Sequence, residues 1–177
     1  MLKLSTFFLF GSFTLLAATT AERSDKISKA GEDLSNAMNR DIVLRNFPKD
    51  LAEFKEQCQG ETGDCSELFE RMMPEIMKFP EHVKPTIEAL VPLLPVVAFD
   101  ADAPSYLQHQ ANEACQKDPK GFNEALAKLK KPEQDKAIRF LNANMVKKNV
   151  PWFLDCLKAA KKANLPALAK RLEKVKR

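Results

Sequence analysis

The sequence predicts an all-α fold, a compact multi-helix bundle of about eight or nine short helices with two disulfides. Three observations predict it. Glycine is scarce, with five in 177 residues. Apolar residues recur at spacings of three and four instead of two. Most of the prolines stand where a helix can start on them.

A first helix is expected over about 25–46, with Ile27, Ala30, Leu34, Ala37, Met38 and Ile42 as its apolar stripe and Ser24 as its cap. Pro48 opens a short helix through Leu51, Phe54 and Cys58. After the turn at Gly60 and Gly63, Asp64-Cys65-Ser66-Glu67 has the spacing of a capping box. The helix it introduces carries Cys65, Leu68, Phe69, Met72 and Ile76 on one side and should kink at Pro74. A further helix starts near Pro80 and runs, bent, through Leu90, Leu93, Leu94 and Val97. Asp102-Ala103-Pro104, Asp118-Pro119, Pro132, Pro151 and Asn164-Leu165-Pro166 mark the starts of five more. The helix from Pro132 is expected to reach Met145.

Ala89–Phe99 carries no charge and is interrupted by Pro92 and Pro95. A helix that is apolar all round is buried on several sides, so this stretch is expected to be the central element of the bundle. Its prolines leave carbonyls without donors, which a neighbouring cavity would tolerate, so a ligand lining is the competing reading.

Met1-Leu2-Lys3, an apolar run to Leu16 and the small residues Ala17–Ala21 follow the order of a secretory signal peptide. The run is shorter than the roughly 20 residues of a membrane span. Residues 1–21 are therefore read as a leader and 22–177 as a single helical domain, secreted to the extracellular space. The four cysteines, Cys58, Cys65, Cys115 and Cys156, all fall in that domain, as two disulfides in an oxidising compartment require. Of the three pairings open, the short turn between the first two favours Cys58–Cys65 with Cys115–Cys156. Their spacing is not that of a zinc site, and no metal or other cofactor is expected. No N-glycosylation sequon occurs.

Charge is divided along the chain. Residues 22–103 hold 10 Lys and Arg against 17 Asp and Glu, a net of −7; residues 104–177 hold 17 against 7, a net of +10. Either the two halves attract each other as they fold, or the second presents a basic face to an anionic partner. Lysine predominates over arginine in that half, and the one Trp and one Tyr are not interleaved with it, so nucleic acid is not an expected partner.

Catalytic vocabulary is sparse. No nucleophile elbow, phosphate-cradling glycine loop, His-Glu-x-x-His helix or dinucleotide fingerprint is present. The two histidines, His82 and His109, read as packing or surface residues, and oxidised cysteines are not nucleophiles. Asp100 and Asp102 read as a helix end and a helix cap, and Trp152-Phe153 as a core anchor. No catalytic residue is assigned.

The expected function is that of a non-enzymatic binding or interaction protein with an unknown protein partner. Two alternatives stand beside it. One is a carrier of a small apolar ligand such as a fatty acid, in a cavity lined by Met72, Ile76, Phe79, Leu90, Leu93, Leu94, Val97 and Phe99. The other is peripheral membrane contact through Lys158, Lys161, Lys162, Lys170, Arg171 and Lys174 in the last helices. The oligomeric state is not legible.

Overall fold

A computed structural model describes residues 19–59, 65–98, 102–143 and 149–176. Among these residues the regular structure is entirely helical. The α-helices are α1 (Thr20–Gly31), α2 (Ala37–Asn46), α3 (Leu51–Gln59), α4 (Met73–Ile76), α5 (Pro80–Leu90), α6 (Asp102–Lys117), α7 (Pro119–Ala127), α8 (Lys131–Phe140), α9 (Pro151–Lys162) and α10 (Pro166–Glu173). A π-helical turn, Glu67–Met72, leads into α4, and a 3-10 turn, Val91–Leu93, follows α5. No helix among the described residues is long and apolar enough to cross a membrane. Of the expected leader, residues 1–18 lie outside the described residues, as do Phe99, Asp100 and Met145.

The first expected helix is two helices. It breaks after Gly31, where Asp33 accepts hydrogen bonds from the backbone N–H and hydroxyl of Ser35, and Asn36 then caps α2 by accepting from the Met38 N–H. A Cβ at Gly31 would collide with the tip of Met72, and Arg71 Nη1 donates to the Gly31 carbonyl at 2.9 Å. The end of α1 thus lies close against the π turn, and a side chain at this position would have to displace the flexible tip of Met72. The start of α1 also differs from expectation: the cap is Thr19, not Ser24. Its Oγ1 accepts from the Glu22 N–H, and the Glu22 carboxylate accepts from the Thr19 N–H, a reciprocal capping box.

The kink expected at Pro74 is a widened turn. Proline has no N–H and its ring crowds the carbonyl four residues back, so the helix loosens by one residue there. The Met73 N–H reaches the Leu68 carbonyl instead of a partner one residue nearer.

The segment around Leu90–Phe99 is core, but it is not the central helix. The α-helix stops at Leu90, one 3-10 turn follows, and the chain then bends. Leu90, Val91, Leu93 and Leu94 are buried, whereas Pro92 is exposed and Val96 is 43% exposed. Prolines at 92 and 95 cannot donate to a continuing ladder, so one wall of this segment faces out. The central element is α6, which packs against α5, α7, α9 and the π turn. Leu107, Ala111, Ala114 and Cys115 are fully buried along it, and the two alanines let its neighbours approach closely.

Two disulfides form, Cys58–Cys65 and Cys115–Cys156, with Cα–Cα distances of 4.8 and 5.3 Å. They close loops of 7 and 41 residues. Loop entropy assigns these about 2.5 and about 4 kcal/mol of stabilisation. Their presence fits an oxidising compartment. The longer bridge clamps α6 to α9.

Polar side chains on α6 hold α8 in place. Gln108 Nε2 donates to the carbonyls of Phe140 and Ala143 at 2.6 and 2.7 Å, and Asn112 Nδ2 donates to the Leu141 carbonyl at 2.9 Å. The carbonyls left over at the end of α8 are thereby satisfied. Asn142, also buried, receives the Val150 N–H and donates to the Val175 carbonyl, which joins the ends of α8 and α10 to the start of α9.

On the opposite side, Arg23 ties α1 to α3. Its Nη1 lies 2.5 Å from Glu53 Oε1, and its Nη2 donates to the Phe47 carbonyl at 2.7 Å. The hydrogen bond from Arg23 holds the Glu53 carboxyl below its ordinary value. A depressed folded-state value stabilises the fold above the ordinary glutamate range, and that stabilisation is lost as pH falls through the lower value.

Two outcomes are expected. Glu53→Gln should cost about 2 kcal/mol at pH 7, measured by chemical denaturation, because it leaves Arg23 buried with less charge compensation. The gap between the two proteins should shrink as pH falls from about 4.3 and close under strong acid; a gap independent of pH would contradict the assignment. A chain beginning at Thr19 should melt about 2–4 °C above one beginning at Glu22, since only the former has the cap. Equal melting temperatures would mean that the capping box contributes nothing.

Candidate functional site

The expected apolar set does not converge on one cavity. Ile76, Leu90 and Leu93 are fully buried among core side chains. Met72 is buried too and forms part of the wall of a cleft beside Thr20, Ser24 and Gln57. Phe79 is half-buried under the guanidinium of Arg40, 3.5 Å from its ring centroid, and faces a groove with Leu34 and Glu75. Arg40 is itself buried: it donates to the Leu34 and Ser35 carbonyls and, at 3.4 Å, from Nε to His82 Nδ1. His82 is thus a packing residue in a polar network with Asp41 and Glu81. Phe99 lies outside the described residues.

The expected basic face is partly neutralised. Lys158 pairs with Asp155, Lys161 with Glu173, and Arg171 with Asp135. Lys162, Lys170 and Lys174 are exposed, without a carboxylate partner among the described residues.

Leu94 and Val97 from the first set and Lys174 from the second meet in one place. They line a cleft of about 550 Å³ together with Pro95, Lys136, Arg139, Phe140, Asn142, Ala143 and Val175. Leu94, Val97 and Phe140, buried parts of the core, form the apolar part of its floor. Three cations stand around it. Lys136 and Arg139, three residues apart, project from one face of α8, and Lys174 follows the end of α10. All three are exposed, none has a carboxylate partner among the described residues, and no acidic side chain lines the cleft. Helix dipoles account in part for Arg139 and Lys174, which sit at helix C-termini where positive charge is favoured. They do not account for the greasy floor between them.

The geometry depends on the hydrogen bonds already described. Gln108, Asn112 and Asn142 fix the end of α8, and with it Phe140 and the flanking Lys136 and Arg139. Sequence reasoning named Lys174 but passed over Lys136 and Arg139. The signal that could have found them is local: positions 136, 139 and 140 alternate around α8 so that two cations flank an aromatic ring.

Chemically, such a cleft accepts an anionic head at its rim and an apolar body on its floor. The exposed rim gives modest electrostatic energy per contact, and the apolar surface supplies the rest. No protein family matches the chain, and neither a curated protein nor a solved structure matches it.

Proposed function

We propose that the chain is a secreted, non-enzymatic binding protein whose ligand is an anionic amphiphile, a carboxylate on an apolar chain, seated in the cleft of Lys136, Arg139 and Lys174. One observation carries this reading: three cations, without carboxylate partners among the described residues, surround an apolar floor formed by Leu94, Val97 and Phe140. The two disulfides support export, since such bridges persist in oxidising compartments. The reading narrows the carrier expected from the sequence, moving its site from an enclosed chamber to a surface cleft. A free anion without an apolar tail would gain little from exposed lysines, and a neutral lipid would leave the rim unused.

Membrane attachment through the last two helices is the weaker reading. Three of its six cations are already committed to carboxylates of the same chain, which reduces the field available to an anionic surface.

The test is displacement of dansylaminoundecanoic acid from the full secreted chain. Dodecanoate should displace the probe, whereas dodecyltrimethylammonium, with the same tail and opposite charge, should not. The triple variant Lys136→Gln, Arg139→Gln, Lys174→Gln should bind dodecanoate about tenfold more weakly with unchanged helicity, given the worth of exposed ion pairs. Equal displacement by both amphiphiles, or a variant that binds as tightly as the parent, would refute the cationic cleft.

A further inference from the structure

The two disulfides differ in what surrounds them. Cys115 and Cys156 have no exposed surface, inside the packing of α6 on α9, whereas Cys58 and Cys65 retain 7% and 5%. The Cys58–Cys65 bridge also lies beside an opening in the fold. Cys58 is in the last turn of α3, and Cys65 stands just before the π turn, in the wall of a cleft of about 430 Å³. To this cleft α1 contributes Ser24 and Ile27, the end of α3 Glu56 and Gln57, and the π turn Leu68 and Met72. The bridge therefore joins two walls of one cleft.

What else holds α3 decides what the bridge does. The first half of the helix is anchored twice. Glu53 pairs with Arg23 of α1, and the fully buried ring of Phe54 lies 6.3 Å from that of Phe69 in the π turn. Beyond Phe54 the ties thin out. Among the described residues, the side chains of Lys55, Glu56 and Gln57 form no ion pair or hydrogen bond, and Gln57 Nε2 is buried without a partner. The covalent bond from Cys58 is what fastens this turn to the start of the π turn. α6 and α9, by contrast, pack on each other with Ala111, Ala114, Phe153 and Ala160 fully buried. Phe153 is the core anchor expected there, whereas its neighbour Trp152 is only half-buried.

We propose that Cys58–Cys65 is a site of thiol–disulfide exchange, and that opening it releases the last turn of α3 and widens the cleft. The co-reactant is a small dithiol. One of its thiolates attacks Sγ of Cys65, the sulfur–sulfur bond breaks, and Cys58 leaves as a thiolate that takes a proton from water. The reagent's second thiolate then attacks the reagent's own sulfur in the mixed disulfide. A cyclic disulfide closes, and Cys65 departs as a thiolate that is protonated likewise. Two electrons pass to the protein, and the dithiol is oxidised. Bridges near solvent are the labile ones, and the enclosed sulfurs of Cys115 and Cys156 offer no line of attack until the core opens. The site shares no residue with the cationic cleft and stands independently of it.

Graded reduction of the native full secreted chain with dithiothreitol tests this, with iodoacetamide trapping and peptide mass mapping as the readout. Cys58 and Cys65 should be alkylated at a dithiothreitol concentration at least about tenfold lower than Cys115 and Cys156, with helical dichroism retained. In that half-reduced protein the backbone amides of residues 56–58 should exchange hydrogen about tenfold faster, while those of α6 keep their protection. The double variant Cys58→Ser, Cys65→Ser should show the same exchange pattern without reductant. The half-reduced parent serves as the comparison if that variant fails to fold. Alkylation of all four cysteines together, earlier alkylation of Cys115 and Cys156, or unchanged exchange in α3 after reduction would each overturn the assignment.

Discussion

The buried bridge between Cys115 and Cys156 is the constraint on which the rest of this structure turns. It joins α6, the most enclosed helix, to α9 across 41 residues of chain, and both sulfurs are inaccessible to solvent. His109 precedes Cys115 by six residues, Trp152 precedes Cys156 by four, and their rings touch. Two contacts in the same order along both helices mean that α6 and α9 pass the bridge in the same sense. A cleft of about 360 Å³ follows from that pairing, since Tyr106, His109 and Gln110 of its lining come from α6 and Trp152 from α9, with Glu70 at its rim. The cationic cleft depends on α6 as well, through Gln108 and Asn112, whose amides hold the end of α8. One helix, pinned by a covalent bond, sets the position of both.

The division of charge along the chain has more than one physical expression. Lys84–Glu124 and Lys128–Glu88 are ion pairs that help to dock α5 against α7 and its following turn, but each half gives one cation and one carboxylate, so together they leave the imbalance of charge as it was. Both pairs are exposed and contribute little stability apiece. Pairing within the basic half, as in Lys161 with Glu173, is local and leaves the excess of cations in that half unchanged. Of the cations without a carboxylate partner among the described residues, Lys136, Arg139 and Lys174 share one cleft.

Much of the fold was legible because proline marks helix starts in this chain. Pro119, Pro151 and Pro166 each open a helix where the sequence placed it, and Asp118 caps α7 by accepting from the Gly121 N–H. The misreadings share a cause: they concern positions decided by tertiary contact. Nothing local distinguishes Gly31 as a break until the side chain of Met72 is seen against it. Pro74 announces a disturbance but does not say whether the helix kinks or widens. The apolar run at 89–99 was read as central because it lacks charge, yet enclosure is a property of neighbours. α6, with Gln108, Gln110 and Asn112 along it, is more enclosed than its composition suggests. Gln108 and Asn112 are polar links of the interior, donating to carbonyls at the end of α8.

The clefts were illegible for the same reason, and the exception is instructive. Lys174 and Leu94 are 80 residues apart, and no spacing rule connects them. His109 and Trp152, by contrast, could have been joined from the sequence, because the favoured cysteine pairing brings their two helices together and both residues lie on the same side of it. Covalent cross-links are the one long-range contact that a single sequence can suggest, and here the link leads to a cleft. The two clefts also differ in the sign of charge at their rims, Glu70 on one and three cations on the other. Glu70 belongs to the acidic half and the three cations to the basic half. The charge asymmetry, which in the sequence admits either docking of the two halves or a basic face for an anionic partner, takes a spatial form in two concave surfaces whose rims differ in sign.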